Sequence, residues 1–269
     1  MDRLIFLGTA GDHTVYTKQA RASGGFVLQT EGMQFFVDPG PGALLKAKEF
    51  GINVRENTAV VVSHAHLGHC SDVNEIVFTG SYGKIDPQSV LITNRTLVDD
   101  SEGNMPLMTK YFRECVERLI VVTDGNKVGI NKVEVDATKA MHHDQHAVGY
   151  KFLCPNFTMG YTGDTEYFKE MHNIYKDLDI LLINLQDGFG KRTKGRMNAD
   201  DCEKLLEAVK PNLAIITHFG QSILKDDPLA VARELQRRTK IQVMCAKDGM
   251  AINPVSYSHG KRQKTLNVY

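Results

Sequence analysis

Twelve short runs of β-branched and aromatic residues set the limits on what this chain folds into. They are LIFL (4–7), GFVLQ (25–29), MQFFV (33–37), AVVVS (59–63), VLIT (90–93), LIVV (119–122), KVEVDA (132–137), VGYKF (148–152), FTMGY (157–161), ILLIN (180–184), LAIIT (213–217) and IQVMC (241–245). Each is bounded by Gly, Asp, Asn or Pro, the pattern of a strand ended by turn chemistry. Helical spacing lies between several of them, over 41–50, 71–78, 106–117 and 165–175. Asn198 is placed to cap a helix whose Cys202, Leu205, Leu206 and Val209 share a face, and Asp227-Pro228 opens a last one through Leu235. The first third is mostly strand and the rest alternates, so the expected architecture is α/β, with two mixed sheets and helices outside.

At 269 residues, with no low-complexity segment and no long linker, one domain over 1–269 is expected, ending in a tail from about 256. The 32 basic and 32 acidic residues balance, so no global field points to nucleic acid or to a membrane surface. Five scattered cysteines without a C-x-x-C pair fit free thiols in a reducing compartment. No apolar run approaches a membrane span or a signal sequence. A soluble, cytoplasmic protein with no membrane partner is expected, with a homodimer left open.

The chemistry gathers where strands stop. VVVSHAHLGHCSD (60–72) carries His64 and His66 in alternation after an apolar strand, so both imidazoles fall on one side, and His69 follows one helical turn later. The bland alternative is three exposed histidines at a helix start. Three further segments favour a metal site: MHHDQHAVGY (141–150) before a strand, MGYTGDTEYF (159–168) with Asp164 after one, and AIITHFG (214–220) ending in His218. Asp164 also reads as a helix N-cap.

The order H-x-H-x-x-H, a histidine before V-G-Y, G-D-T and then T-H resembles the metallo-β-lactamase-fold hydrolases. FLGTAG and FVDPGPGAL make the chain similar to their ribonuclease Z-like and uncharacterised archaeal-type members. The resemblance implies a four-layer αββα sandwich and a zinc centre. His64, His66 and His143 would hold the first ion, Asp164 would bridge, and His69 and His218 would hold a second. His143 is taken over His142 and His146 because it stands seven residues before Tyr150, the spacing of ribonuclease Z-like chains. The aspartate of the motif H-x-H-x-D-H is replaced here by Gly68, so the second ion loses a ligand and the attacking water loses an orienting group. The ligand set leaves zinc, iron and manganese open.

The implied activity is hydrolysis by a zinc-bound hydroxide, on a phosphodiester first of all. A lactone, thioester or other small ester is the alternative, and Gly68 also admits a non-catalytic metal-binding or sensing protein. Too few residues lie between His143 and Asp164 for the arm that grips transfer RNA in the ribonuclease Z family. His146 is a candidate proton donor to the leaving group. Lys191, Arg192, Lys194 and Arg196, in the loop after ILLIN, are candidates to clamp an anionic substrate, against the default of a solvated loop. Asp38 reads equally as a turn residue and as a support for a ligand loop. Asp72 is a cap or, less simply, a substitute carboxylate.

Overall fold

The computed structural model describes residues 2–100 and 106–258; most of the expected tail from 256 lies outside them. Six strands come first: β1 (Arg3–Phe6), β2 (Phe26–Thr30), β3 (Met33–Val37), β4 (Ala59–Val62), β5 (Val90–Thr93) and β6 (Arg118–Val121). A second set follows: β7 (Lys127–Ile130), β8 (Val133–Lys139), β9 (Val148–Leu153), β10 (Thr158–Tyr161), β11 (Ile180–Asn184), β12 (Leu213–Thr217) and β13 (Val243–Cys245). The short β14 (Ala251–Ile252) returns to pair with β1.

Two seven-stranded sheets result, in the orders β14-β1-β2-β3-β4-β5-β6 and β13-β12-β11-β10-β9-β8-β7. Each is antiparallel at one end and parallel at the other, the switch falling at β3 in one and at β10 in the other. The parallel strands β4, β5, β11 and β12 are apolar almost throughout because both their faces are covered. Between the sheets lies a shared core in which Phe35 meets Phe152 edge-on at 5.8 Å and Phe26 meets Tyr161 at 5.1 Å. Burying rings like these stabilises the fold by roughly 1.5–3 kcal/mol each. Outside the first sheet pack α2 (Ala43–Glu49) and α4 (Val73–Gly80), preceded in the chain by α1 (His13–Thr17) and α3 (Leu67–Cys70). The short α5 (Lys110–Arg113) and α6 (Met171–Ile174) precede α7 (Ala199–Val209), α8 (Gln221–Lys225) and α9 (Pro228–Thr239), and α7 and α9 cover the second sheet. The architecture is the expected four-layer αββα sandwich.

Three elements depart from the sequence reading. A helix expected over 165–175 is reduced to Met171–Ile174. Thr165 Oγ1 instead accepts from the Met141 N–H at 2.9 Å and the Glu166 N–H donates to the Met141 carbonyl at 2.9 Å, so this segment is bound to a neighbouring loop rather than to itself. The pattern over 106–117 shortens to Lys110–Arg113, and the one over 71–78 starts earlier, as two helices broken at Ser71-Asp72. Strands β7 and β14, too short or too polar to read from composition, complete the sheets.

The register places one set of strand ends together. His64, Asp164, Gln186 and His218 follow the carboxyl ends of β4, β10, β11 and β12. Strand β9 runs antiparallel to β10 with Tyr150 opposite Tyr161, so the residues before β9 reach the same edge. Hydrogen bonds from Tyr150 Oη to the Val62 carbonyl (2.8 Å) and from the Val148 N–H to the Ser63 carbonyl (3.0 Å) join the two sheets there. Among the described residues no helix is long and apolar enough to cross a membrane.

Candidate metal centre

The extended backbone from β4 into the cap of α3 carries His64 and His66 to one side, and the His69 N–H closes the first turn on the His66 carbonyl at 2.8 Å. His66 Nδ1 lies 3.1 Å from His64 Nε2 and 3.0 Å from His142 Nε2. Beside this trio, His69 Nε2 lies 3.0 Å from His218 Nε2, and Asp164 reaches both, with Oδ2 3.5 Å from His69 and Oδ1 3.3 Å from His218. Two overlapping groups follow, His64–His66–His142 and His64–His69–Asp164. The sequence reading put His143 in the first group; the structure puts His142 there, and the His143 ring centroid stands 6.5 Å from that of His66. The deciding contact is remote: His142 Nδ1 is 2.6 Å from the Gly195 carbonyl, which fixes that ring facing inward.

The hydrogen bonds behind the rings explain the arrangement. His64 Nδ1 meets Ser63 Oγ at 3.0 Å, and that hydroxyl in turn donates to Asp38 at 2.7 Å. His69 Nδ1 donates to Asp38 Oδ2 at 2.9 Å. With His142 bonded to Gly195, three imidazoles each spend their Nδ1 proton on a built acceptor, which leaves Nε2 of His64 and His142 facing His66 and Nε2 of His69 facing His218 and Asp164. His66 Nδ1 faces two such nitrogens, and one neutral imidazole nitrogen satisfies at most one of them. A cation satisfies all three, and nitrogens about 3.3 Å apart are what a tetrahedral ion with bonds of about 2.0–2.1 Å requires. The donor set fits a transition metal.

Electrostatics agree. Burial opposes a charge on His69, yet Asp164 and Asp38 outweigh it and raise its pKa to about 10. His64, wholly buried beside His69, is pushed well below the usual histidine range by burial first and by its neighbour second. Asp164 stays well below the usual carboxylate range because His218 and His69 prevail over burial. Its oxygens also accept from Asn184 Nδ2 (2.7 Å) and Gln186 Nε2 (2.9 Å), so it is no helix cap. His218 itself sits at φ +59°, an uncommon conformation for a side-chain-bearing residue, as strained residues at such sites often do.

Asp38 is the anchor of the centre. Its carboxylate accepts from the Ser63 N–H and hydroxyl (both 2.7 Å), from His69 and from Tyr161 Oη (2.6 Å). Residues 38–40 also bring backbone close to α3: a Cβ on Gly40 would stand 2.0 Å from the Gly68 carbonyl oxygen, so only glycine fits there. Asp72 faces away, toward the Leu44 N–H and Ser71, and is not a substitute ligand. At Gly68 a Cβ would meet only Tyr16 Cε1, at 3.7 Å, an ordinary contact.

Above the histidines opens a cavity of about 280 Å³ whose walls include Asp12, His13, Tyr16, Gly68, His143 and Arg196. His146, the expected proton donor, does not line it, whereas His143 does. Of the four loop cations, Lys191 pairs with Asp226 (2.9 Å) and Arg192 with Asp201 (3.5 Å); only Arg196 reaches this cavity. Sequence reasoning missed Asn184 and Gln186, which alternate at the end of β11, and Asp144. The Asp144 carboxylate accepts from the Ala65 N–H (3.1 Å), Asn94 (2.8 Å), Thr96 (2.7 Å) and the His146 N–H (2.9 Å), tying the His142 loop to the H-x-H loop. Cys70, beneath the site, is buried and its thiol is pushed up to about 12 by that burial, which leaves it inert.

An αββα sandwich with this cradle at its strand ends defines a metal-dependent hydrolase. The family model described as a beta-lactamase superfamily domain matches residues 34–219, and the chain belongs to that superfamily. It is 27% identical over 251 residues to an uncharacterised protein of Methanocaldococcus jannaschii, covering 93% of this chain and 94% of that one. The metallo-beta-lactamase fold protein YhfI from Bacillus subtilis is similar with a TM-score of 0.77 at 18% identity, over 93% of this chain and 98% of that one. The short form of human tRNase Z gives 0.67 at 14% identity, over 93% and 98%. At these identities the solved structures speak for the fold.

Proposed function

We propose that this protein hydrolyses a phosphodiester at the His64–His66–His142 cradle, assisted by the weaker His69–His218–Asp164 half. The observation that carries this reading is the cluster in which His66 Nδ1 stands 3.1 Å from His64 Nε2 and 3.0 Å from His142 Nε2, with His64 and His142 each held from behind through Nδ1. A divalent cation such as zinc, when bound, supplies Lewis acidity and lowers the pKa of a coordinated water to about 7. His64 is common to both groups, and Asp164 would bridge from the second. His143, at the cavity wall, takes the role of proton donor to the leaving group that the sequence reading gave to His146. Arg196 holds the negative charge of the substrate at the mouth. The phosphodiester is favoured over a lactone by this cation beside the cradle, and by the fold shared with tRNase Z.

The test pairs elemental analysis of protein purified without added metal with turnover of bis(p-nitrophenyl) phosphate and of an aryl lactone. At least one equivalent of transition metal and preferential cleavage of the phosphodiester are expected. Protein that is metal-free and whose melting temperature ignores zinc would overturn the metal reading. Preference for the lactone would overturn the substrate class.

A further inference from the structure

A second cavity, of about 530 Å³, adjoins the first, with Arg196 in the wall of both. Its size falls within the roughly 300–1,000 Å³ that small-molecule sites occupy. Tyr167, Lys194, Arg196 and Lys204 are among its walls. The charges are unevenly compensated. Arg192 and Lys204 share Asp201, at 3.5 and 2.8 Å, and Glu166 Oε1 is engaged by the Gly195 N–H at 2.6 Å. Lys194 and Arg196 form no ion pair among the described residues, although each lies within a few residues of those that do. Tyr167 adds a half-buried aromatic ring, its hydroxyl hydrogen-bonded with His172 Nε2 at 2.7 Å and the Lys204 ammonium 5.7 Å from its centroid.

Two unpaired cations beside a fixed aromatic ring, in a cavity that shares Arg196 with the one above the histidines, match a ligand that is both anionic and planar. We infer that this second cavity is a nucleotide subsite, with Lys194 and Arg196 on the phosphate and Tyr167 against the base. The inference rests on the phosphodiester reading above and narrows it to substrates with a nucleotide on one side of the scissile bond. Bases stack on aromatic rings with little regard to sequence, so the subsite would select a nucleotide over an alkyl or aryl phosphate rather than one base over another.

Direct binding tests the subsite without turnover. AMP, UMP and inorganic phosphate are titrated calorimetrically into the intact protein and into the Lys194→Ala, Tyr167→Ala and Tyr167→Phe variants, each checked for an unchanged melting temperature. Both nucleotides should bind about tenfold or more tightly than phosphate. Lys194→Ala and Tyr167→Ala should each weaken AMP by roughly tenfold, and Tyr167→Phe should restore most of that loss. The His66→Ala variant, with the cradle disabled, should still bind AMP. Nucleotide binding without hydrolysis of bis(p-nitrophenyl) phosphate would support the subsite while overturning the phosphodiester reading. Nucleotides that bind no better than phosphate, or equally well to Lys194→Ala and Tyr167→Ala, would overturn the subsite.

Discussion

Asp38 and His69 lie 31 positions apart in the chain and 2.9 Å apart in space, the carboxylate fixing which imidazole nitrogen faces the metal cradle. The same carboxylate holds Ser63, through which it also fixes His64. One residue therefore sets the orientation of a candidate ligand in each half of the centre.

Replacing Asp38 by Asn puts an NH2 group among four donors. Metal affinity should fall by about 10–100-fold, the range for supporting groups of this kind, and stability by about 1–3 kcal/mol from unmade buried hydrogen bonds. Competition with a chromogenic chelator and thermal melts measure the two effects. Asp72→Asn, whose carboxylate faces α2, serves as the comparison and should leave the affinity unchanged.

His142 and His143 are adjacent but should fail differently. His142→Ala should abolish tight binding of the first ion, read as metal content after dialysis. His143→Ala should keep its metal and lose kcat by about 10²–10⁴-fold, the usual contribution of a positioned proton donor. Equal metal loss in both variants would return the ligand to the position expected from sequence spacing.

At Gly68, where the sequence reading expects a motif aspartate, the surroundings admit a Cβ. Because an added Cβ meets only Tyr16, at 3.7 Å, Gly68→Asp should fold normally. It should raise both second-ion affinity and phosphodiester turnover by at least about tenfold. Zinc titration of the two forms, with parallel assays, decides it. A variant that gains neither would favour a binding or sensing protein over an enzyme.

The loop cations should separate as well. Arg196→Ala should raise KM several-fold with little change in kcat, since it contributes uniform binding, and the effect should shrink as salt rises. Lys191→Ala, whose ammonium is already paired with Asp226, should leave KM where it was.

The sandwich was legible because its parallel strands are buried on both faces and so announce themselves as β-branched runs. That His64, His66, His69, Asp164 and His218 gather at one edge was legible because each lies on a strand end or on the turn that follows it. The choice between His142 and His143 was not, since it depends on a carbonyl 53 residues downstream. Asp144 and Gln186 escaped for the same reason: their partners, Ala65 and Asp164, are distant in sequence. The helix expected over 165–175 failed because backbone bonds to Met141 outcompeted local ones.

Gly195 offers its carbonyl to His142 on one side, while its neighbours Lys194 and Arg196 face the second cavity on the other. With φ at +75° and a Cβ position only 2.7 Å from the His143 ring, this position takes only glycine, and one short stretch of backbone serves both contacts. On the two proposals above, an ion that orders His142 would also order the loop, and a nucleotide on the loop would steady His142. By thermodynamic reciprocity the factor is the same in both directions. A chelation curve measured with AMP present is expected to shift to higher chelator concentration, making substrate supply a determinant of how well the protein keeps its metal.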